Sequence, residues 1–267
     1  VETYLKTALI SIAKNEDNYL KEWVDYHLGI GFDEIFVYQN NWRYKNGDID
    51  YPNVHLLECD GHRMQNPCYN MFIRDNHYKY NFATFLDIDE FLHIKGGKKV
   101  NEWLDDYTDN DVIYVNWRLF GDSGLDFVDN GNYSVLDRFK KCSRTLSPLG
   151  KNFINFRKIG SVAKFYNPHI VVLDGSDINL PKYVLADGSP VTKPWMMNEQ
   201  ILSSLKCQPA ELWHFRNKTY QECYDRKYNK DDVFHEASEC DFLTDLEMFN
   251  RVFKEHNRND ISVEEVK

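Results

Sequence analysis

The segment FATFLDIDEFL, from Phe82 to Leu92, runs an apolar strand directly into Asp87, Ile88, Asp89 and Glu90. Residues two apart in extended backbone share a face. Asp87 and Asp89 are therefore expected to point the same way at the carboxyl end of a strand, where open α/β sheets collect their ligands. Two hard oxygen donors on one side suit Mg²⁺ or Mn²⁺, ions that take one or two carboxylates and complete their shell with substrate phosphates. Asp-x-Asp is a cheap pattern in an acidic chain, and it recurs at Asp48/Asp50 and Asp109/Asp111. Those copies lie in NGDIDYP and YTDNDV, polar turn-like surroundings that solvate a carboxylate. The copy at Asp87/Asp89 has apolar residues on both flanks, which hold it near a core where unpaired charge is costly.

Other chemistries lack their signatures. The chain has no G-x-S-x-G, H-E-x-x-H or P-loop. Gly96-Gly97 followed by Lys98 and Lys99 is out of order for a phosphate loop and reads as a connection.

The carboxylates need a scaffold, and hydrophobic periodicity supplies one. TALISIA, Thr7 to Ala13, is a buried strand by its unbroken apolar run. Leu20, Trp23, Val24, His27 and Leu28 then recur at helical spacing, with Gly29 and Gly31 as the stop. EIFVY, Glu34 to Tyr38, resumes as a strand, completing a unit that implies a parallel sheet. The pattern repeats with VHLLEC at Val54 to Cys59, a helix with Pro67 in its first turn and Cys68, Met71 and Phe72 behind it, and the strand FATFLD. Beyond residue 95 the rhythm changes. A short helix is expected near Val100 to Tyr107 and a strand at Val112 to Trp117, then segments punctuated by Gly, Asn and Pro through Pro194. A last amphipathic helix sets Phe242, Leu243, Leu246, Phe249 and Phe253 on one side, ahead of a charged tail expected to fray. The reading is an α/β chain forming a single domain over residues 1–267, with halves at about 1–95 and 96–230 and a C-terminal helical segment at about 231–267.

Composition narrows the function classes. With 42% hydrophobic, 15% aromatic and 28% charged residues, the chain is globular rather than disordered. A net charge of −10 argues against gripping nucleic acid or an anionic bilayer with the whole surface. No run approaches the roughly 18 to 20 apolar residues of a membrane span, and the N-terminus shows no signal-peptide pattern. Six cysteines without a C-x-x-C pair read as reduced thiols, which points to the cytoplasm, with room for association at the inner face of the membrane. A disulfide-bearing, secreted form is the alternative.

ALISIAKNED at Ala8 to Asp17, EWVDYHLGIGFDEIFVYQNN after it, the DIDEF segment and WHFRNKTYQECYDRKYN together resemble the family 92 (DUF23) and related family 2-like glycosyltransferases. The likeness runs in order over most of Ala8 to about Lys230. It implies the GT-A fold, a mostly parallel Rossmann-like sheet flanked by helices, with residues 1–95 binding a nucleotide-sugar and a mixed acceptor-side half. It also implies a hexosyltransferase that uses Mn²⁺ or Mg²⁺ to move a sugar from a donor, expected to be UDP-linked, to a hydroxyl of a glycan or lipid-linked glycan. Inversion at the anomeric carbon and a place in polysaccharide or glycoconjugate synthesis follow from the same likeness. On the matching positions, Asn15 and Glu16 touch the nucleotide, with a helix N-cap as a second role for Asn15. Asn40 and Asn41 end the next strand where their amides reach a base or ribose or serve as plain turn residues, and Gln65 and Asn70 are donor-side contacts around the following helix start. Asp87, Asp89 and His214 are the implied metal ligands, with Asp87 also facing the donor and with a packed core residue beside Trp213 and Phe215 as the other reading of His214. Arg216, Lys218, Arg226 and Lys227 are cations for phosphate oxygens or a solvated face. In VNWRLFGDSG, Trp117 and Phe120 stack on a sugar or pack in the core, and Asp122 is the candidate general base, with Glu199 and Asp174 as competitors. Two rivals stay open. One is another metal-dependent sugar-nucleotide enzyme, a nucleotidyltransferase or phosphoesterase, against which the Gly-free AKNED argues. The other is a non-catalytic glycan-binding module.

Overall fold

The computed structural model describes residues 4–174, 179–198, 208–228 and 246–266. Strand β1 (Thr7–Ala13) is buried along its whole length. It therefore needs cover on both faces, and its alternating side chains show where that cover comes from. Leu9 and Ala13 join a cluster with Trp23 and Val24 of helix α1 (Leu20–Gly29), while Ala8, Ile10 and Ile12 join another with Cys68, Tyr69 and Phe72 of helix α2 (Gln65–Asn76). α1 ends as its glycines require, since Gly31 takes φ 101°, a left-handed conformation that side chains disfavour.

Strands β2 (Glu34–Gln39), β3 (Val54–Glu58) and β4 (Phe82–Phe85) complete a parallel block in the order β3-β2-β1-β4. Past β4 the chain does not continue extended. Asp87 to Asp89 form a turn closed by Glu90 N–H donating to the Asp87 carbonyl at 3.0 Å, and β5 (Glu90–Ile94) leaves from it. Both carboxylates reach the same cavity, but through this turn rather than through strand alternation. Helix α3 (Val100–Leu104) stands where the short helix was expected.

The second half extends the same sheet with changes of direction. β6 (Val112–Leu119), the short β7 (Lys141–Cys142), β8 (Gly150–Asn155), β9 (Ala163–Asn167), β10 (Ile170–Leu173), β11 (Tyr183–Leu185), β12 (Pro190–Val191) and β13 (Ala210–His214) follow in chain order. Among the described residues, ten strands share one sheet, running β12-β11-β6-β8-β4-β1-β2-β3, with β13 bridging β5 and β6. β8 lies antiparallel between β4 and β6, whereas β11 and β13 pair with β6 in parallel. β9 and β10 form a separate hairpin. The fold is thus mixed α/β about a central, mostly parallel sheet, as expected, with antiparallel pairings where β8, β12 and the β5–β13 pair join it.

Two expectations fail. The charged tail is not frayed: β14 (Ile261–Ser262) pairs with β7, and Val263 and Val266 join the main core. Ile261, Val263 and Val266 supply a small apolar face inside a charged segment, enough to dock it. Nor are all cysteines reduced, because Cys59 is bonded to Cys68. The end of β3 and the second turn of α2 adjoin, and the cytoplasmic reading loses its cysteine argument. Cys142 and Cys223 are buried thiols, while Cys207 and Cys240 lie outside the described residues. So do Phe242 and Leu243, together with the side chains of Leu246, Phe249 and Lys227. Phe253, on the helix Leu246–His256, packs against Cys223. Among the described residues, no helix is long and apolar enough to cross a membrane.

Candidate active site

A cavity of about 340 Å³ opens at the carboxyl ends of β1 and β4. Ile12 and Lys14 from the end of β1, Glu16 from the loop after it, and the Asp87–Asp89 turn form one part of its lining. Trp117, His169, His214, Arg216 and Arg226 bring the second half of the chain to the same space.

Asp87 is held from the sheet side. Gln65 Nε2 donates to its Oδ1 at 2.9 Å, and Lys151 Nζ lies 2.8 Å from its Oδ2. Lys151 is fully buried on β8 and also lies 3.7 Å from Glu90 Oε2. Burial alone would lower the ammonium's pKa, but Asp87 and Glu90 outweigh it and keep Lys151 charged. Glu90 is sealed as well: Oε2 accepts the Asp87 N–H at 2.9 Å, and Oε1 has no partner among the described residues. Burial pushes its carboxyl well above the ordinary range, with Lys151 opposing and Asp87 and Asp89 adding to the rise.

Asp89 is held from the other side. Arg226 donates to Oδ2 at 2.8 Å, and His214 Nε2 stands 3.5 Å from Oδ1. Burial would raise this carboxyl, but His214, Arg226 and Lys218 outweigh it and hold it well below the usual carboxylate range. Glu16 shows the reverse balance, pushed up by burial against the pull of Lys218 and Arg226. Burial lowers His214, with Asp89 opposing. Its Nδ1 has no partner among the described residues, and its ring lies 4.3 Å from that of Trp117.

These donors fit one kind of ion and not another. Among the described residues no cluster of three or more His, Cys, Asp or Glu side chains forms an all-protein cage. Asp87 and Asp89 offer carboxylate oxygens at one cavity, and His214 faces Asp89 through Nε2 while its Nδ1 has no partner among the described residues. That set suits an ion bound by one or two carboxylates whose remaining positions go to phosphate and water. Such an ion would share its carboxylates with Lys151 and Arg226.

The remaining expected residues divide clearly. Gln65 lines the cavity. Asn15 takes φ 56° and lines a neighbouring cavity of about 410 Å³ that shares Lys14, Glu16 and Arg226 with the first. It does not cap α1, whose cap position is Tyr19. Asn40 lines neither: its amide donates to the carbonyls of Cys59 and Gly61 at 2.8 and 2.9 Å, tying β2 to β3. Asn41 does the same work one residue on, with Gly61. Asn70 accepts from Phe165 N–H at 2.7 Å and so fastens α2 to β9. Asp122 lies apart from these residues. It does not line the cavity, and its carboxylate accepts from Asn257, Asn259 and Gly124 at 2.6, 2.9 and 2.8 Å, an anchor for the C-terminal segment. Asp174 makes an exposed ion pair with Lys164, and Glu199 lies outside the described residues. Phe120 is core, packed on Trp213 and Phe215. Lys218 sets its ammonium 4.2 Å over the Tyr19 ring and lines the second cavity.

Sequence reasoning missed Lys151, Glu90 as a sealed carboxyl, and His169. A lysine inside the otherwise apolar and amide-bearing GKNFIN was the available signal, since a strand with both faces covered admits a cation only beside a partner. His169, in the turn NPHI, carried no signal at all.

No family profile matches the chain. It is 26% identical over 133 residues to a glycosyltransferase family 92 protein of Ricinus communis, a match covering 45% of this chain and 24% of the relative. The matched region thus spans about a quarter of that relative's length. Structural similarity extends to HddC from Yersinia pseudotuberculosis complexed with GMP-PN, at a TM-score of 0.36 and 8% identity, covering 75% of this chain and 99% of that one. A 4-diphosphocytidyl-2C-methyl-D-erythritol synthase from Anaerococcus prevotii follows at 0.34 and 8%, covering 76% and 98%. The chain is similar in sequence to a family 92 glycosyltransferase, in agreement with the resemblance carried by its motifs.

Proposed function

We propose that the protein is a glycosyltransferase of the GT-A type that moves a sugar from a nucleotide-sugar, UDP-linked in our reading, to a hydroxyl of a glycan. The observation that carries this reading is the convergence of Asp87 and Asp89 with Arg216 and Arg226 on one cavity at the carboxyl ends of parallel strands. A sugar diphosphate presents anionic oxygens, and paired carboxylates with nearby guanidinium groups suit it when a divalent ion is shared between protein and ligand. Mn²⁺ or Mg²⁺ bound there by Asp87, Asp89 and His214 would supply Lewis-acid stabilisation of the diphosphate leaving group. The chain's own part is to orient. Lys151 and Gln65 fix the Asp87 carboxylate, and Arg226 fixes Asp89 while turning its charge toward the cavity. In this reading Asp122, bonded to Asn257 and Asn259 and not lining the cavity, is not assigned as the base. The similarity to the family 92 protein supports the reaction class.

The test is incubation of the purified chain with a panel of UDP- and GDP-sugars, with and without Mn²⁺, followed by measurement of slow donor hydrolysis. Ion-dependent release of a nucleoside diphosphate from one panel member is the expected result. Cleavage that proceeds equally in excess EDTA, or no binding of any donor, would overturn the reading.

A further inference from the structure

His169 occupies the turn between β9 and β10 and reaches into the cavity. Its backbone N–H donates to Asn167 Oδ1 at 2.9 Å, and its ring meets Trp117 edge-on at 5.1 Å. The ring's Nδ1 lies 2.9 Å from the Gly150 carbonyl oxygen. A carbonyl can only accept, so Nδ1 carries the proton of the neutral imidazole and Nε2 is left with a lone pair. Among the described residues Nε2 has no hydrogen-bond partner, and it is not one of the unpartnered polar atoms sealed from solvent. Burial, with Lys151 adding to it and the Gly150 carbonyl and Asp87 opposing, shifts the imidazole below its ordinary range.

We propose that His169 Nε2 reads a sugar hydroxyl: it accepts a hydrogen bond from an O–H of the sugar held in this cavity and disfavours an acceptor-only group at that place. The inference rests on the glycosyltransferase reading and deepens it. An acceptor-only group facing a lone pair leaves both unpaired, which turns one ring nitrogen into a selectivity filter. The hydroxyl belongs either to the donor's sugar or to the acceptor, and the two sources separate by experiment.

His169→Asn retains an amide nitrogen near the place of Nδ1, and with it a donor for Gly150, but deletes the atom at Nε2. His169→Gln carries an amide out to the Nε2 position. The full chain is titrated with UDP-glucose, UDP-galactose and GDP-mannose and with free UDP and GDP, in the presence of Mn²⁺, with methyl glycosides as acceptors in a parallel transfer assay. Loss of one neutral hydrogen bond corresponds to about 3- to 10-fold. His169→Asn is expected to weaken the bound nucleotide-sugar by that factor, to leave the free diphosphate unchanged, and to be rescued in part by His169→Gln. An unchanged donor Kd with the same loss in kcat/KM for the acceptor assigns the hydroxyl to the acceptor instead. No change in either arm overturns the proposal and leaves glycosyl transfer standing. Failure of every nucleotide-sugar to bind the wild type overturns both. Independently of how the variants fold, ¹⁵N-histidine spectra of the wild type should show Nε2 unprotonated at neutral pH and shifting with the nucleotide-sugar but not with the free diphosphate. A protonated Nε2 would also overturn the proposal.

Discussion

Asp87 and Asp89 stand two residues apart on one turn, yet opposite sides of the molecule hold them. Asp87 leans on Lys151, whose side chain is only 1% exposed in the middle of the sheet. Asp89 leans on Arg226, 20% exposed at the far end of the chain's path through the site. An ion pair that loses one partner leaves an uncompensated charge to the extent that the survivor is buried. On the Asp87 side the cation is the sealed member, with Glu90 sealed beside it and Asp87 itself 35% exposed, so Lys151 belongs to the foundation of the fold. On the Asp89 side the carboxylate is the buried member, 9% exposed, while Arg226 lines the cavity and is placed to meet a ligand.

The largest expected effect comes from breaking the foundation. Lys151→Met strands Asp87 and buried Glu90 without their cation and should cost about 3 kcal/mol of stability. Urea denaturation measures it, and a midpoint unchanged from wild type would erase the distinction between the two sides. Next is Arg226→Met. It leaves buried Asp89 with His214 as a remaining partner, so it should cost up to about 3 kcal/mol of stability and also weaken nucleoside diphosphate binding at least about tenfold. Unchanged diphosphate affinity would make Arg226, like Lys151, a structural partner only.

Asp89 and Glu90 sharpen the contrast through pH, because their shifts have opposite signs. The Asp89 carboxyl is held below its unfolded value, so its contribution to stability is present above about pH 3.9 and disappears as pH falls through the folded value. The Glu90 carboxyl is raised, so its contribution is complete below about pH 4.3 and disappears as pH rises through the folded value. In EDTA, Asp89→Asn should flatten the acid limb of the stability profile and Glu90→Gln the limb toward alkaline pH. A Glu90→Gln profile that keeps the wild-type alkaline limb would remove Glu90 from the sealed group. The smallest effect is expected of Asp122→Asn: about 1 kcal/mol of stability from weakened bonds to Asn257 and Asn259, with donor affinity unchanged. A loss of turnover of about 10²-fold or more with donor affinity intact would return Asp122 to the site as the base.

The first block of the fold was legible because its elements advertise themselves locally. TALISIA gives β1 residue for residue, and the stripe from Leu20 to Leu28 lies within α1. The site was legible where it sits on that block, at Asp87, Asp89, Glu16 and Gln65. Asn40 and Asn70 misled because an amide near a strand end serves a backbone carbonyl as readily as a ligand, and nothing in one sequence separates the two uses. Lys151 and His169 were hidden for a different reason. Their role exists only after β8 inserts antiparallel between β4 and β6 and the β9–β10 turn comes to rest on Gly150, pairings between segments far apart in the chain.

The docked C-terminal segment carries a consequence for the order in which the molecule is made. A side chain on Gly121 would meet the backbone of Arg258 at 2.4 Å, so the two segments fit against each other only because no Cβ intervenes. The Asp122 and Asn257 that seal this junction are 135 residues apart. As the chain leaves the ribosome, β7 and the Gly121 loop must wait through that whole stretch before their partner exists. The apolar surface that Ile261, Val263 and Val266 later cover stays open in the meantime, exposed to mispairing until that segment is made. Gly121→Ala is expected to weaken this docking, because the added methyl would overlap the Arg258 carbonyl oxygen.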